Sequence, residues 1–127
     1  MSLKRVAFIT LLAVGYAGMA AAQSPVGARL AELADAEGCE FPEVPNVPGA
    51  DGATMDQMVA AQGAVQAYLE ESNALLECLE GIYQNEDLEA EDRQTALDGY
   101  NAEVEAQESL AERWNVERTR FLEMQQQ

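Results

Sequence analysis

The chain has no histidine, and after Lys4 it has no lysine. Histidine is the commonest general base and a common neutral metal ligand, so two frequent routes to catalysis are closed. Neither a Gly-x-Ser-x-Gly elbow nor a glycine-rich phosphate loop leading into a helix occurs. Positive charge is scarce: beyond Arg5 there are only five arginines, against 23 acidic residues. Such a surface repels nucleic acid and anionic lipid headgroups, both of which need cationic neutralisation. It favours a cationic partner or divalent cations, and colloidal solubility alone also accounts for it. Cysteine occurs twice, with no Cys-x-x-Cys. The longest apolar stretch, Val6 to Val14, is too short to anchor in a bilayer.

That stretch follows a basic start, Lys4-Arg5, and precedes the small residues Ala20-Ala21-Ala22. The order is that of a secretory signal peptide over residues 1–22, with cleavage expected between Ala22 and Gln23. No cysteine stands at the junction, so lipoprotein processing is not expected. Removal leaves 105 residues, enough for one helical domain over 23–127, and takes the net charge from −16 to −18. The product is expected in an oxidising compartment, the periplasm, without membrane insertion.

Ser24 as N-cap, Pro25 in the first turn and Gly38 as a stop predict a short helix over 25–37. Residues 39–53 carry Pro42, Pro45 and Pro48, which share one face of a polyproline II helix at three residues per turn. Thr54 and Gln57 match a capping box, with Ala53 and Met58 as a weak staple, and open a helix over 54–83. Its apolar seam is expected at 55, 58, 62, 65, 69, 72, 76, 79 and 83, widened on one side by Tyr68, Leu75 and Ile82. An acidic turn over 84–89 leads to a last helix over 90–123, with its seam at 90, 93, 97, 100, 104, 107, 111, 114, 118 and 121. Two long helices joined by a short turn make an antiparallel, coiled-coil-like hairpin. A tight turn near residues 86 and 87 sets Leu76 against Leu97, Leu69 against Val104 and Met58 against Trp114. It also sets Ser72 against Tyr100 and Gln62 against Ala111, and it brings Asn73 near Asn101 as a register pair. Gly63, Gly81 and Gly99 are weak points, each about 1 kcal/mol poorer than alanine in a helix interior.

An even cysteine count in an exported chain argues for one disulfide, Cys39–Cys78. The lengths agree. From Thr54 to Cys78 the helix rises about 36 Å, and residues 39 to 54 reach about 46 Å as polyproline II. The proline segment is therefore expected to run back along the second helix as a strap, pinned near its far end.

Candidate sites are few. Glu86, Asp87, Glu89, Glu91 and Asp92 offer carboxylates to a cation but lack the EF-hand pattern; the reading they favour is a solvated turn that offers negative charge to a helix N-terminus. Met55, Met58 and Met124 form a candidate Cu(I) thioether set, or else gap-filling core residues and a frayed tail. Tyr68, Tyr83, Tyr100 and Trp114, with Phe41 and Phe121, form a candidate interaction surface; alternatively some of them stack on the strap prolines.

"CEFPEVPNVPGADGATMDQMVAAQGAVQAYLEESNALLECLE" followed by "YNAEVEAQESLAERWN" resembles a group of small proteins exported by proteobacteria. The matching positions are Cys39, Pro42, Tyr68, Asn73, Cys78, Tyr100, Asn101, Trp114 and Asn115, across residues 39–121. The resemblance implies export, helices and the disulfide, and it brings no activity. The expected protein is all-α, non-catalytic and without a cofactor, monomeric or homodimeric, and it acts on a protein partner as an envelope interaction or adaptor module. A holdase-type chaperone and a weak divalent-cation or Cu(I) binder are the alternatives.

Overall fold

A computed structural model describes residues 25–127. The signal-peptide expectation for 1–22 and the N-cap expected at Ser24 lie outside the described residues. The chain runs as α1 (Pro25–Ala36), α2 (Met55–Tyr83) and α3 (Ala90–Gln125), with no strand among the described residues. α2 and α3 form the long antiparallel hairpin, and α1 packs across its turn end, mainly on α3.

A helix as short as α1 is marginal alone, so its ending and its docking decide whether it persists. Gly38 ends it at φ +72°, where a side chain would be strained. The Cys39 N–H donates to the Ala34 carbonyl at 2.8 Å and the Gly38 N–H to Asp35 at 3.2 Å. This is the Schellman pattern, and it makes Cys39 the residue whose side chain folds back on the last turn. One local stop signal thereby aims a cysteine at Cys78, and the two form the disulfide, with Cα atoms 5.7 Å apart.

From Cys39 the strap runs back along α2 to Thr54. Glu40 to Pro42 lie beside Glu71, Leu75 and Cys78, and Glu43 to Asn46 lie beside Ala64, Ala67 and Tyr68. Exposure along it repeats every three residues. Pro42, Pro45 and Pro48 are half-buried, while Glu40, Glu43 and Asn46 are exposed. Near the open end of the hairpin it turns inward. Val47 packs on Val65, Tyr68 and Leu110, and buried Ala50 sits with Met58 and Phe121. The Ala50 N–H donates to Glu117 Oε2 at 2.7 Å, and Arg120 links Glu117 to Asp51. The strap is thus held at both ends, by a covalent bond and by this polar clasp.

α2 starts at the expected capping box: the Gln57 N–H donates to Thr54 Oγ1, and the Thr54 N–H donates to Gln57 Oε1. The turn into α3 is organised by Asn85, whose side chain accepts from the Asp87 N–H and whose carbonyl accepts from Leu88. α3 has no side-chain cap; Glu91 and Asp92 supply negative charge to its first turn instead.

The buried columns differ from the expected seam in one systematic way. Met58, Val65, Ser72 and Leu79 are buried as expected, but Ala61, Tyr68, Leu75 and Ile82 take the places expected of Gln62, Leu69, Leu76 and Tyr83. On α3, Ala96 and Leu110 are buried where Leu97 and Ala111 were expected. Every replacement lies one residue earlier, about 100° around the helix. The cause is the third side of the core: α1 and the strap cover one flank of the hairpin and draw both buried stripes towards it.

Gly99 also differs from its expected part as a weak point. A Cβ built there would lie 2.7 and 2.9 Å from the two methyl carbons of Leu30, so Gly99 is the notch that seats α1. At Gly63 nothing lies within 4 Å. Gly63→Ala is expected to gain about 0.5–1 kcal/mol. Gly99→Ala is expected to gain less, because the Leu30 methyls must shift to admit the new Cβ and that offsets the helix-propensity gain. Urea midpoints measure both; an equal gain at the two sites would mean that Leu30 is not seated on Gly99.

Candidate interaction face

Ser72 lies at the centre of the hairpin with no exposed surface, and Tyr68 beside it is 3% exposed. Both hydroxyls donate to Glu103 Oε1, Tyr68 at 2.6 Å. Gln107 Nε2 donates to Ser72 Oγ at 2.8 Å and to Asn73 Oδ1 at 3.0 Å. This layer corrects two expectations. Ser72 faces Glu103 and Gln107 rather than Tyr100, and Asn73 pairs with Gln107 while Asn101 is exposed. The rotation of α3 towards the strap brings its 103/107 edge into the hairpin instead of 100/101. A serine–carboxylate contact resembles a nucleophile and its base, but Ser72 has no access from solvent, so the layer acts as a lock between helices.

Burial, followed by the Glu103 hydrogen bond, pushes the Tyr68 phenol up from 10.0 to about 12. The proton is held more tightly in the folded chain. The stability it contributes is complete below pH 10 and is lost as pH rises towards about 12. Unfolding free energy is expected to fall by about 2–3 kcal/mol across that window. Tyr68→Phe should remove this slope; urea midpoints on either side of the window measure it, and an unchanged slope would place the alkaline loss elsewhere.

The other expected site residues scatter. Tyr68 is an interior residue, which removes it from the expected interaction surface. It lines the cleft that also holds Pro45 of the strap. Tyr83 and Tyr100 form an edge-to-face pair with centroids 5.6 Å apart, half-buried at the turn end. Trp114 bridges two apolar clusters near the open end. Met55 and Met58 line one small cleft with Trp114, as the expected register requires, but Met124 is not among its lining residues. Among the described residues no three His, Cys, Asp or Glu side chains are grouped to hold a metal ion. None of their helices is long and apolar enough to cross a membrane.

Comparison with protein-family models, curated proteins and solved structures finds no match.

What the geometry brings together is a face. The strap and α1 cover one flank of the hairpin; the other flank has no covering element among the described residues. On α2 it presents Met55, Gln62, Leu69, Leu76 and Tyr83, the column that the pattern writes as seam and that the rotation turns outward. On α3 it presents Leu97, Tyr100, Val104, Ala111 and Leu122. Leu69, Leu76, Leu97 and Val104 are half-buried, whereas Met55, Val59 and Leu122 are 54%, 59% and 42% exposed. These last three rim the cleft floored by Met58, Trp114 and Phe121, a hollow of about 100 Å³ that admits a side chain but no sizeable ligand.

Its charge sets this flank apart. Carboxylates are few here for a chain with 23 acids: Glu80 lies on the α2 row, Glu70 and Glu77 border its outer edge, and Glu108 borders that of α3. Arg93 and Arg118 lie on the α3 row, and neither makes an ion pair within the described chain, unlike Arg29 and Arg120. The Arg93 Nε is shielded from solvent without a hydrogen-bond partner. On the covered flank, by contrast, Arg29 grips Asp92 through Nε and Nη2 at 2.8 and 2.6 Å and holds that carboxyl below its ordinary range.

Proposed function

We propose that the chain is a non-catalytic interaction or adaptor module of the cell envelope, exported to the periplasm, and that the uncovered flank of the hairpin is its working surface. One observation carries this reading: a long apolar and amide-rich strip, poor in carboxylates, on a chain whose remaining surface is densely acidic. An acidic coat keeps chains apart, so the strip is where close approach costs least. The Cys39–Cys78 disulfide supports an oxidising compartment.

A photocrosslinking side chain placed at Gln62 or Gln66, exposed positions on this flank, is expected to yield a discrete protein adduct in the periplasmic fraction. The same group at Glu40 or Glu43, exposed on the strap, should yield none. Equal adducts from both flanks would overturn the assignment of the surface. A broad smear of many clients from Gln62 alone would replace the adaptor reading with a holdase.

A further inference from the structure

We infer that Asp51–Gly52 is a self-modification site, at which the aspartate converts to isoaspartate and loosens the far end of the strap. The inference stands apart from the uncovered flank and does not depend on it. Two Asp–Gly pairs occur in the chain, Asp51–Gly52 and Asp98–Gly99. Their chemistry is the same, and the fold allows it at one of them.

The reaction needs no partner but water. The glycine backbone nitrogen attacks the aspartate Cγ and gives up its proton, and one carboxyl oxygen leaves as water. The cyclic imide that results then takes up a water molecule, so nothing is oxidised or reduced. Opening at the γ-carbonyl restores aspartate. Opening at the α-carbonyl breaks the original peptide bond, so the chain runs on through Cβ and Cγ and the α-carboxylate becomes the side group. Glycine favours the attack because no Cβ crowds the approach to its nitrogen.

At Asp51 both reacting groups are accessible. The Ala53 N–H donates to the Ala50 carbonyl at 3.4 Å, and Gly52, third in this turn, has φ +81°, the geometry of a type II turn. The Asp51 side chain is 77% exposed. Attack requires the Asp51–Gly52 peptide to rotate, and little resists it. Among the described residues nothing accepts from the Gly52 N–H, and apart from its chain neighbours nothing lies within 4 Å of the place a Cβ would take. Gly99 is held in every respect in which Gly52 is free. It lies inside α3, where its N–H is committed to the carbonyl four residues back, that of Thr95, and Leu30 is seated on it. One restraint acts at Asp51: Arg120 Nη2 holds its Oδ2 at 3.1 Å, and the carboxyl must leave this contact to turn on Gly52. The pair is exposed, so the restraint is weak.

The turn connects two anchored points. On one side buried Ala50 donates to Glu117 Oε2, and on the other the Thr54 N–H is bound to Gln57 Oε1 in the capping box. Isoaspartate inserts an extra main-chain carbon between them and takes the carboxylate off the side chain that reaches Arg120. Both changes act on the clasp. Because Cys39 stays bonded to Cys78, the other end of the strap is kept.

The test is to incubate the oxidised chain at neutral pH and to measure isoaspartate at each site by peptide mapping, with an isoaspartyl methyltransferase as the label. Isoaspartate is expected at Asp51 about a hundredfold or more faster than at Asp98, the counterpart of about 2.7 kcal/mol of helix opening. In the reduced chain unfolded in urea the two sites should react at similar rates. Asp51→Glu keeps a carboxylate for Arg120 and should abolish the product, since the larger imide closes far more slowly. Arg120→Ala should raise the rate at Asp51 about two- to fivefold. In the modified chain the Ala50 amide should exchange hydrogen faster, with the amides of Tyr68 and Ser72 unchanged. Equal rates at the two sites of the folded chain, or a folded chain silent at Asp51 while the unfolded chain reacts at both, would overturn the site. A modified chain that keeps full protection at Ala50 would overturn its effect on the strap.

Discussion

Replacing Cys39 and Cys78 together by serine is expected to lower the unfolding free energy by about 3–4 kcal/mol, from loop-closure entropy across a separation of 39 residues. For a domain of this size that is a large share of the total. The loss should not be spread evenly. α1 is held by the disulfide, by Leu30 in the Gly99 notch and by the Arg29–Asp92 pair, and that ion pair is largely exposed and worth little alone. Without the covalent bond, α1 and the first half of the strap depend on Leu30, Leu33 and Ala34 for their burial. Hydrogen exchange should then show α1 amides opening first, while α2 and α3 keep protection around Tyr68 and Ser72. The far end of the strap should persist longer, since Ala50 and Val47 dock on α3 and α2 independently of the cysteines. Reduction of the wild-type chain is expected to move its urea midpoint in the same direction. An unchanged midpoint on reduction would mean that the strap stays in place through packing alone, and that the bond records the fold rather than supporting it.

Local chemistry was readable in the sequence. Thr54 and Gln57 announce the start of α2, Gly38 the end of α1, and the length of the proline segment the course of the strap, because each depends on residues within a few positions or on contour length. The side on which the hairpin is covered was not readable from periodicity. Leu69, Leu76 and Tyr83 are as apolar as Tyr68, Leu75 and Ile82, and a stripe that wide does not say which half faces inward. The choice belongs to the third layer, α1 and the strap, whose docking is set by the Cys39 turn. Gly99 escaped for a related reason: an intrahelical glycine reads as a cost until Leu30 arrives from another element. Glu117 and Glu103 were indistinguishable from the other acids of α3. The one available signal for Glu103 was its position on the inward edge of a helix, and that edge was misplaced by one residue. The same one-residue rotation turns the expected seam column into the uncovered flank, so the pattern that misplaced the core also marks the proposed docking surface.

Glu103→Ala is expected to cost about 2–4 kcal/mol, because it strands two buried donors rather than one. The hydroxyls of Tyr68 and Ser72 both donate to its Oε1, and neither residue has surface enough to find water instead. Glu103→Gln retains a carbonyl at the same place and should cost about 1 kcal/mol, the difference between a charged and a neutral acceptor. The informative variant removes all three groups together. Tyr68→Phe, Ser72→Ala and Glu103→Met leave no donor or acceptor unpaired among them, and urea unfolding is expected to place the triple variant within about 1 kcal/mol of wild type. If Glu103→Ala alone proves as mild as the triple variant, the hydroxyls have found other partners and the layer is not a lock. What the triple variant should lose is register. The apolar columns recur every seven residues, so packing alone tolerates a slip of one heptad between α2 and α3. Such a slip sets Ala96 or Leu110 against Tyr68 and Ser72 in place of Glu103, and neither can accept a hydrogen bond. In the wild-type chain that penalty excludes the slipped hairpins; in the triple variant it vanishes, and the Trp114 indole, which bridges two clusters across the hairpin, should show more than one NMR environment. A single sharp indole resonance in the triple variant would transfer the register role from Glu103 to the strap clasp at Ala50 and Glu117.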